Sequence, residues 1–457
     1  MTDHQVQAAL DQIKSDNIHS VRVVFTDQHG LLRGKTLAAT AIEAAFEHGV
    51  GVPGSLLHKD TSNTYAIDLW KPSGDAILDS LVGARNVIMR PDAATFRRLP
   101  WSDGTAIMLS DLETNDGRPI PHSTRGICAQ AIERLEARHL TFIAGLELEF
   151  HLYSVGDDGR LAHSHPGWDL LGEGALDRIE PAIEPIRQGL VAMGIPPMTI
   201  EAELGPSQIE MTFAPTAGLD VADQAMLVRT TIRHIARRTG FQASFMSRPR
   251  IDGDSFPSGW HLHQSLVASD DSTRSSVFTP TDSTVLLSDL GRHYVAGLLA
   301  HAAAACLLTT PTVTGYKRYR PRAITPDRIS WSREHRGAML RVIGGEGDPA
   351  TRVENRVGDP AANPYLLVAS QILSGLDGID NQLTPPPPTE SPYEPEGGPQ
   401  LPRTLGDAIE HFDTSAMFRD TLGDAVVDYL VALKRSEWNR FNAAVTDWEQ
   451  NEYFDLY

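Results

Sequence analysis

The sequence predicts an α+β protein of two domains, and three observations predict it. At 457 residues the chain exceeds what one core ordinarily organises. Residues 1–112 carry mostly short strands separated by turn signals, whereas residues 113–457 alternate long helical runs with strands. Between the two the chain turns polar, at Asp111, Glu113, Thr114, Asn115, Asp116 and Gly117.

Composition narrows the function classes. The chain is 41% hydrophobic and 22% charged, as an ordinary globular protein is. No run approaches the roughly eighteen apolar residues of a spanning helix. The opening Met1-Thr2-Asp3-His4-Gln5 lacks a signal-peptide layout. A cytoplasmic protein off the membrane is therefore expected. The net charge of −19 argues against nucleic acid as a partner. Cys128 and Cys306 lie far apart in apolar surroundings and read as buried thiols.

In chain order, a helix is expected over 5–16, followed by the strand around Ser20–Phe25. The turn Asp27-Gln28-His29-Gly30 then makes a hairpin with Leu31–Lys35. A helix over 39–48, a Gly/Pro-rich stretch over 49–55 and a strand at Asn86–Met89 complete the first domain. Helices follow at 123–138, 175–193 and 219–240, with a continuous Ala/Leu-rich helix over 284–310. Closing helices cover 404–411 and 421–447. The proline-rich stretch 384–399 reads as an exposed arm.

The chemistry concentrates on strands. In Gly145-Leu146-Glu147-Leu148-Glu149-Phe150, period-two alternation puts Glu147 and Glu149 on one face and the apolar residues on the other. Thr199-Ile200-Glu201-Ala202-Glu203 repeats the pattern. Glu210 and the pair His261/His263 stand on two further strands. Several carboxylates with imidazole and no thiolate form a ligand set for Mg²⁺ or Mn²⁺, ahead of zinc or calcium. Solvated strand faces explain each piece alone but not all four together. Residues 316–356 add a run of cations in an acidic chain, including Arg318, Arg336, Arg341, Arg352 and Arg356 with Glu354 among them. Guanidinium forks beside metal carboxylates suit phosphoryl transfer. Neither a P-loop nor a Gly-x-Gly-x-x-Gly turn is present.

These motifs resemble the glutamine synthetase family, specifically its γ-glutamyl-amine ligases (γ-glutamylpolyamine or γ-glutamylanilide synthetase-like). The likeness is carried in order by the Glu147/Glu149 strand, by Glu203-Leu204-Gly205-Pro206-Ser207-Gln208-Ile209-Glu210 and by Ser258-Gly259-Trp260-His261-Leu262-His263-Gln264-Ser265. Tyr316-Lys317-Arg318, His335-Arg336 with Arg341, and Arg352-Val353-Glu354-Asn355-Arg356 continue it. The resemblance implies a small β-grasp-like N-terminal domain on a large α/β catalytic domain with a curved antiparallel sheet. It implies ATP and two or three Mg²⁺ or Mn²⁺ ions per site. Glu149, Glu203 and Glu210 would hold one ion, and Glu147, His261 and Glu354 a second. His263, Ser265, Arg341 and Arg352 would meet ATP. Arg336 and Arg318 would act in catalysis, and Arg318 and Arg356 would hold glutamate. The implied assembly is a homo-oligomer, a dodecamer of two hexameric rings with active sites between subunits.

The sequence departs from that family on the amine side. The two carboxylates that would attract ammonium align with Pro53 and Ile324, so both charges are missing. The acceptor is therefore expected to be an alkyl or aryl amine, with Pro53, Ile324 and Trp168 lining its site and Glu149 near the substrate. On the glutamate side, Phe256-Pro257, Ser207 and His335 replace the family's usual residues. Three other readings are an ordinary glutamine synthetase using ammonia, a non-catalytic ring-forming protein, and a metal-dependent hydrolase without nucleotide.

Overall fold

The computed structural model describes residues 2–72, 74, 79–251, 256–319 and 324–457. The flap positions Arg320, Pro321, Arg322 and Ala323 therefore lie outside the described residues.

Helix α1 (Asp3–Ser15) opens the chain, with a Thr2/Gln5 capping box. Six strands build the first sheet: β1 (Ser20–Thr26), β2 (Leu32–Ala38), β3 (Val50–Pro53), β4 (Asn86–Pro91), β5 (Arg97–Arg98) and β6 (Thr105–Glu113). Helix α2 (Ile42–His48) connects β2 to β3. The expected hairpin is β1–β2, closed by Asp27, whose carboxylate accepts from the His29 and Leu31 amides at 2.9 Å each. Strand β1 also pairs parallel to β6. Alternation along these two strands serves two cores at once. Val21, Val23, Phe25, Ala106 and Met108 face a small core shared with α1 and α2. Val24, Ile107 and Leu109 join the large core of the rest of the chain.

Helix α3 (Thr124–Glu136) leads into the second sheet. Its strands are β7 (Leu140–Val155), β8 (Leu161–His163), β9 (Pro197–Ala202), β10 (Gln208–Phe213), β11 (Thr216–Ala217), β12 (Phe241–Ser244), β13 (Trp260–Ala268), β14 (Trp331–Arg333), β15 (Leu340–Ile343) and β16 (Arg352–Asn355). The path runs β14-β15-β16-β13-β7-β10-β9, with β8, β11 and β12 also on β7. All pairs are antiparallel except β14–β15. Sixteen-residue β7 thus touches five other strands.

Helices cover the apolar face: α4 (Glu173–Ala192), α5 (Asp220–Arg238), α6 (Asp289–Ala300), α7 (Ala302–Thr309), α8 (Pro364–Asp380), α9 (Leu405–Asp413), α10 (Ala416–Leu422) and α11 (Asp424–Ala443). Helix α12 (Asp447–Tyr453) follows and buries none of its residues. Buried α8 lies behind β13 and β16, where Gln371 accepts from Gln264 at 3.1 Å and Asn355 at 2.7 Å. Its cap, Asn363, accepts from the Tyr365 amide and donates to the Asp27 carbonyl at 2.9 Å. The Asn363-Pro364-Tyr365 segment thereby ties the two sheets together.

One expectation is corrected. The helix expected over 284–310 breaks at His301, whose backbone leaves the helical region and whose Nε2 meets Asp377 at 2.7 Å. The proline-rich arm is largely exposed, as expected, and is anchored: the Trp331 indole donates to the Pro386 carbonyl at 2.7 Å and the Thr389 amide to the Trp331 carbonyl at 3.0 Å. The arm thereby lies along β14, and Tyr393 packs over Gly337.

Candidate active site

The register of β7 builds the site. Glu147 stands opposite His261 on β13 and Thr212 on β10. Glu149 stands opposite Glu210, and Glu210 opposite Glu201. On the other flank His263 faces Glu354, and Glu354 faces Arg341. The face behind is apolar, with Leu146, Leu148, Phe150, Leu262, Ile209 and Met211 all buried. The same alternation therefore makes a core on one side and a row of carboxylates, imidazoles and guanidiniums on the other.

Glu147 is shared between two imidazoles. It pairs with His261 Nδ1, and its Oε2 lies 2.9 Å from His263 Nε2. Two groups converge tightly enough for a cation: Glu147, Glu210 and His261, and Glu147, His263 and Glu354, with ligand atoms within 4.8 Å of one another. This grouping differs from the expected one. Glu147 belongs to both groups, His263 takes the place expected for His261, and Glu149 and Glu203 belong to neither. The reason is local. Glu149 accepts from Gln208 Nε2 at 2.6 Å and from the Gly259 amide at 2.9 Å. Glu203 lies one residue past β9 and accepts from the Leu204 amide at 3.0 Å.

Charge is unevenly settled across the row. Burial, with Glu147, Glu149 and Glu203 nearby, pushes the Glu210 carboxyl up to about 11. Burial and Glu149 raise Glu203 to about 7. Burial also raises Glu149. Burial opposes ionisation of Glu147, but His261 and His263 outweigh it and hold that group well below the carboxylate range. Glu354 is likewise lowered, because Arg356 and His261 outweigh its burial. Carboxylates that repel one another until one keeps its proton fit a divalent cation, which supplies the missing positive charge. The donor set of oxygens and imidazole nitrogens, without thiolate, suits Mg²⁺ or Mn²⁺.

The guanidiniums border the row on the β15–β16 side. Arg341 Nη1 meets Glu354 at 3.1 Å, and Nη2 meets Glu334 at 2.7 Å. Arg352 Nε lies 3.1 Å from His263 Nδ1. Arg356 pairs with Glu354 and donates to the Arg336 carbonyl at 2.9 Å, so it supports Glu354. Arg336 is exposed. Arg318 is 2% exposed, its Nη1 donates to the Val357 carbonyl at 3.2 Å, and its Nε has no partner among the described residues. A buried donor left open in this way suits an incoming anion.

The remaining expected residues fall as follows. Ser265 continues the His261/His263 face of β13. Pro53 is exposed at the end of β3, and Ile324 is exposed beside the undescribed flap. Trp168 is 68% exposed and meets Phe256 edge to face, 5.8 Å between ring centroids. Cys128 and Cys306 are buried, and burial pushes the Cys306 thiol to about 12. Glu201, marked in the sequence with Glu203, stands across from Glu210. Sequence reasoning passed over Gln208 and Glu334, and Gln208 shares the face parity of Glu210, which was the available signal. Glu334 had no pattern to mark it.

A model of the glutamine synthetase catalytic domain matches residues 121–453. The chain belongs to the glutamine synthetase family. Membership makes it an ATP-dependent carbon–nitrogen ligase. A γ-glutamylanilide synthase of Acinetobacter sp is 40% identical, over 100% of this chain and 97% of its own length. A γ-glutamylethanolamide synthetase of Streptomyces coelicolor is 31% identical, over 97% and 94%. A glutamine synthetase of Methanosarcina mazei is 30% identical, over 98% and 97%. Among solved structures, one described as "Apo GmaS without ligand" superposes with a TM-score of 0.82 at 26% identity, covering 98% of this chain and 99% of its own. The α+β architecture expected from the sequence is the glutamine synthetase fold.

Proposed function

We propose that this glutamine synthetase family member joins the γ-carboxylate of glutamate to an alkyl or aryl amine, with ATP as the activating substrate. The observation that supports this reading is the continuity of the Arg341–Glu354 pair with the Glu147/His263/Glu354 and Glu147/Glu210/His261 clusters, guanidinium beside metal-ligand chemistry of the kind phosphoryl transfer uses. The names of the Acinetobacter and Streptomyces relatives, an anilide and an ethanolamide synthetase, support an acceptor other than ammonia.

In this reading Glu147, Glu149, Glu203, Glu210, His261 and Glu354 hold two or three Mg²⁺ or Mn²⁺ ions, joined by His263. Bound there, the ions screen the negative charge of the nucleotide and of the carboxylate. Arg341, Arg352, His263 and Ser265 bind and orient ATP. Arg318, with its open Nε, holds glutamate, with Arg356 behind it. The glutamate side-chain oxygen attacks the γ-phosphorus and the bond to ADP breaks. Arg336 and Arg318 stabilise the charge that develops. The amine nitrogen then attacks the acyl carbon, phosphate leaves with its electron pair, and the nitrogen loses a proton to phosphate or water. Pro53 and Ile324 offer no carboxylate for an ammonium ion, so an amine that arrives neutral is favoured. The domain division 1–112 and 113–457, a cytoplasmic location and a dodecamer of two rings complete the proposal.

ADP release with glutamate, Mg²⁺ or Mn²⁺ and a panel of amines tests it. An aryl or alkyl amine should give the highest kcat/KM. Ammonia as the best acceptor would overturn the reading of Pro53 and Ile324, and no turnover with any amine would favour the non-catalytic alternative.

A further inference from the structure

Trp168 is held in an unusual position. Its backbone is left-handed, at φ +64°, a conformation that residues with a β-carbon rarely adopt. Its indole is 68% exposed, although the chain around it is firmly tied. The Trp168 amide donates to the Leu204 carbonyl at 2.7 Å, the Leu171 amide to Ala202 at 3.0 Å, and the Ser207 amide to the His165 carbonyl at 3.1 Å. A β-carbon at neighbouring Gly167 would fall 2.5 Å from the Pro206 nitrogen, so the loop lies directly on the turn that follows Glu203. A costly conformation kept in place by surrounding bonds is a mark of function.

Phe256 fixes the ring. It meets Trp168 at an interplanar angle of 88°, and it sits over Gly205, where an added β-carbon would approach its Cβ to 2.5 Å. The pair stands at the Glu149/Glu203 end of the metal face: Trp168 bonds Leu204, whose own amide bonds Glu203. The arginines that flank Glu354 and His263 stand on the opposite flank of the sheet, past β13.

We infer that Trp168 and Phe256 determine acceptor specificity by seating the ring of an aryl amine. The indole supplies a flat apolar face, and edge-to-face contact with Phe256 keeps that face turned outward. An aryl ring stacks on it and leaves its amino group directed toward the Glu149/Glu203 end of the row. A small alkyl amine has no ring to place there. The inference rests on the ligase reading above and names the substrate class of that same site.

The test compares aniline with methylamine in the full-length enzyme, with glutamate and Mn²⁺-ATP, for wild type, Trp168→Ala, Trp168→Phe and Phe256→Ala. Trp168→Ala should lower kcat/KM for aniline by about tenfold to a hundredfold, mainly through KM, and change methylamine by less than about threefold. Trp168→Phe should recover most of the loss, and Phe256→Ala should act in the same direction more weakly. The subunit number by light scattering should stay unchanged. Equal losses for both amines, or a smaller assembly in Trp168→Ala, would overturn the specificity role and leave the ligase reading intact. Absence of aniline turnover in wild type, with methylamine or ammonia used well, would overturn this inference. Absence of turnover with every amine would overturn the ligase reading too.

Discussion

Arg341 stands directly across from Glu354 in the β15–β16 ladder, and their side chains meet at 3.1 Å. Glu354 is fully buried, and Arg356 and His261 also approach it. It is therefore a hinge of charge between the guanidiniums and the imidazoles.

Glu354→Gln keeps the shape of that residue and removes its charge. Buried Arg356 then loses its carboxylate partner, and Arg341 is left with Glu334 alone. The expected loss is about 3 kcal/mol of folding stability, measured by urea denaturation without divalent ions. A change below about 0.5 kcal/mol would show that the network contributes little to the fold.

Glu210 makes the metal-free protein sensitive to alkali. Its folded carboxyl, near 11, keeps a proton that the unfolded chain releases around 4.5. The stability it contributes is complete below 4.5 and declines as pH rises from there toward 11. Glu210→Gln should therefore gain on wild type between about pH 5 and about pH 9 in chelator, by at most about 1.4 kcal/mol per pH unit. Mn²⁺ should reverse the order, since the ion replaces the proton only in wild type. A difference that is flat with pH, or equal stabilisation of both proteins by Mn²⁺, would refute this account.

Ser207 is fully buried at φ +62° where the family motif has glycine. Its hydroxyl offsets the strain by accepting from the Ser164 amide at 3.0 Å and meeting His163 Nδ1 at 2.9 Å. Ser207→Ala keeps the strain and loses both bonds, so a loss of about 2 kcal/mol is expected. Ser207→Gly loses the same bonds but relieves the backbone, and should be milder by about 1 kcal/mol. Thermal unfolding of the two variants measures the gap, and identical midpoints would mean that position 207 holds no strain for a glycine to relieve.

Much of this was legible in the chain. Alternation around Glu147 and Glu149 assigned their strand and its two faces, because a half-buried strand has no other way to arrange those side chains. The hairpin at Asp27 and most helices were equally plain. What escaped depends on contacts between distant residues. The sharing of Glu147 between His261 and His263 follows from the β7–β13 register, which no local pattern encodes. The break at His301 carries no glycine or proline and is stabilised by Asp377, far along the chain. Trp168 and Phe256 meet only because two loops converge on one turn.

The length of β7 bears on how such an enzyme can change. One strand is the backing of the core and the front of the chemistry, so a substitution there disturbs both sides of the sheet. The loops that carry Trp168 and Phe256 have no such double duty. Acceptor choice is thereby the interchangeable part of the molecule. In this reading, retargeting it is a matter of exchanging the Trp168 and Phe256 side chains, while β7 stays as it is.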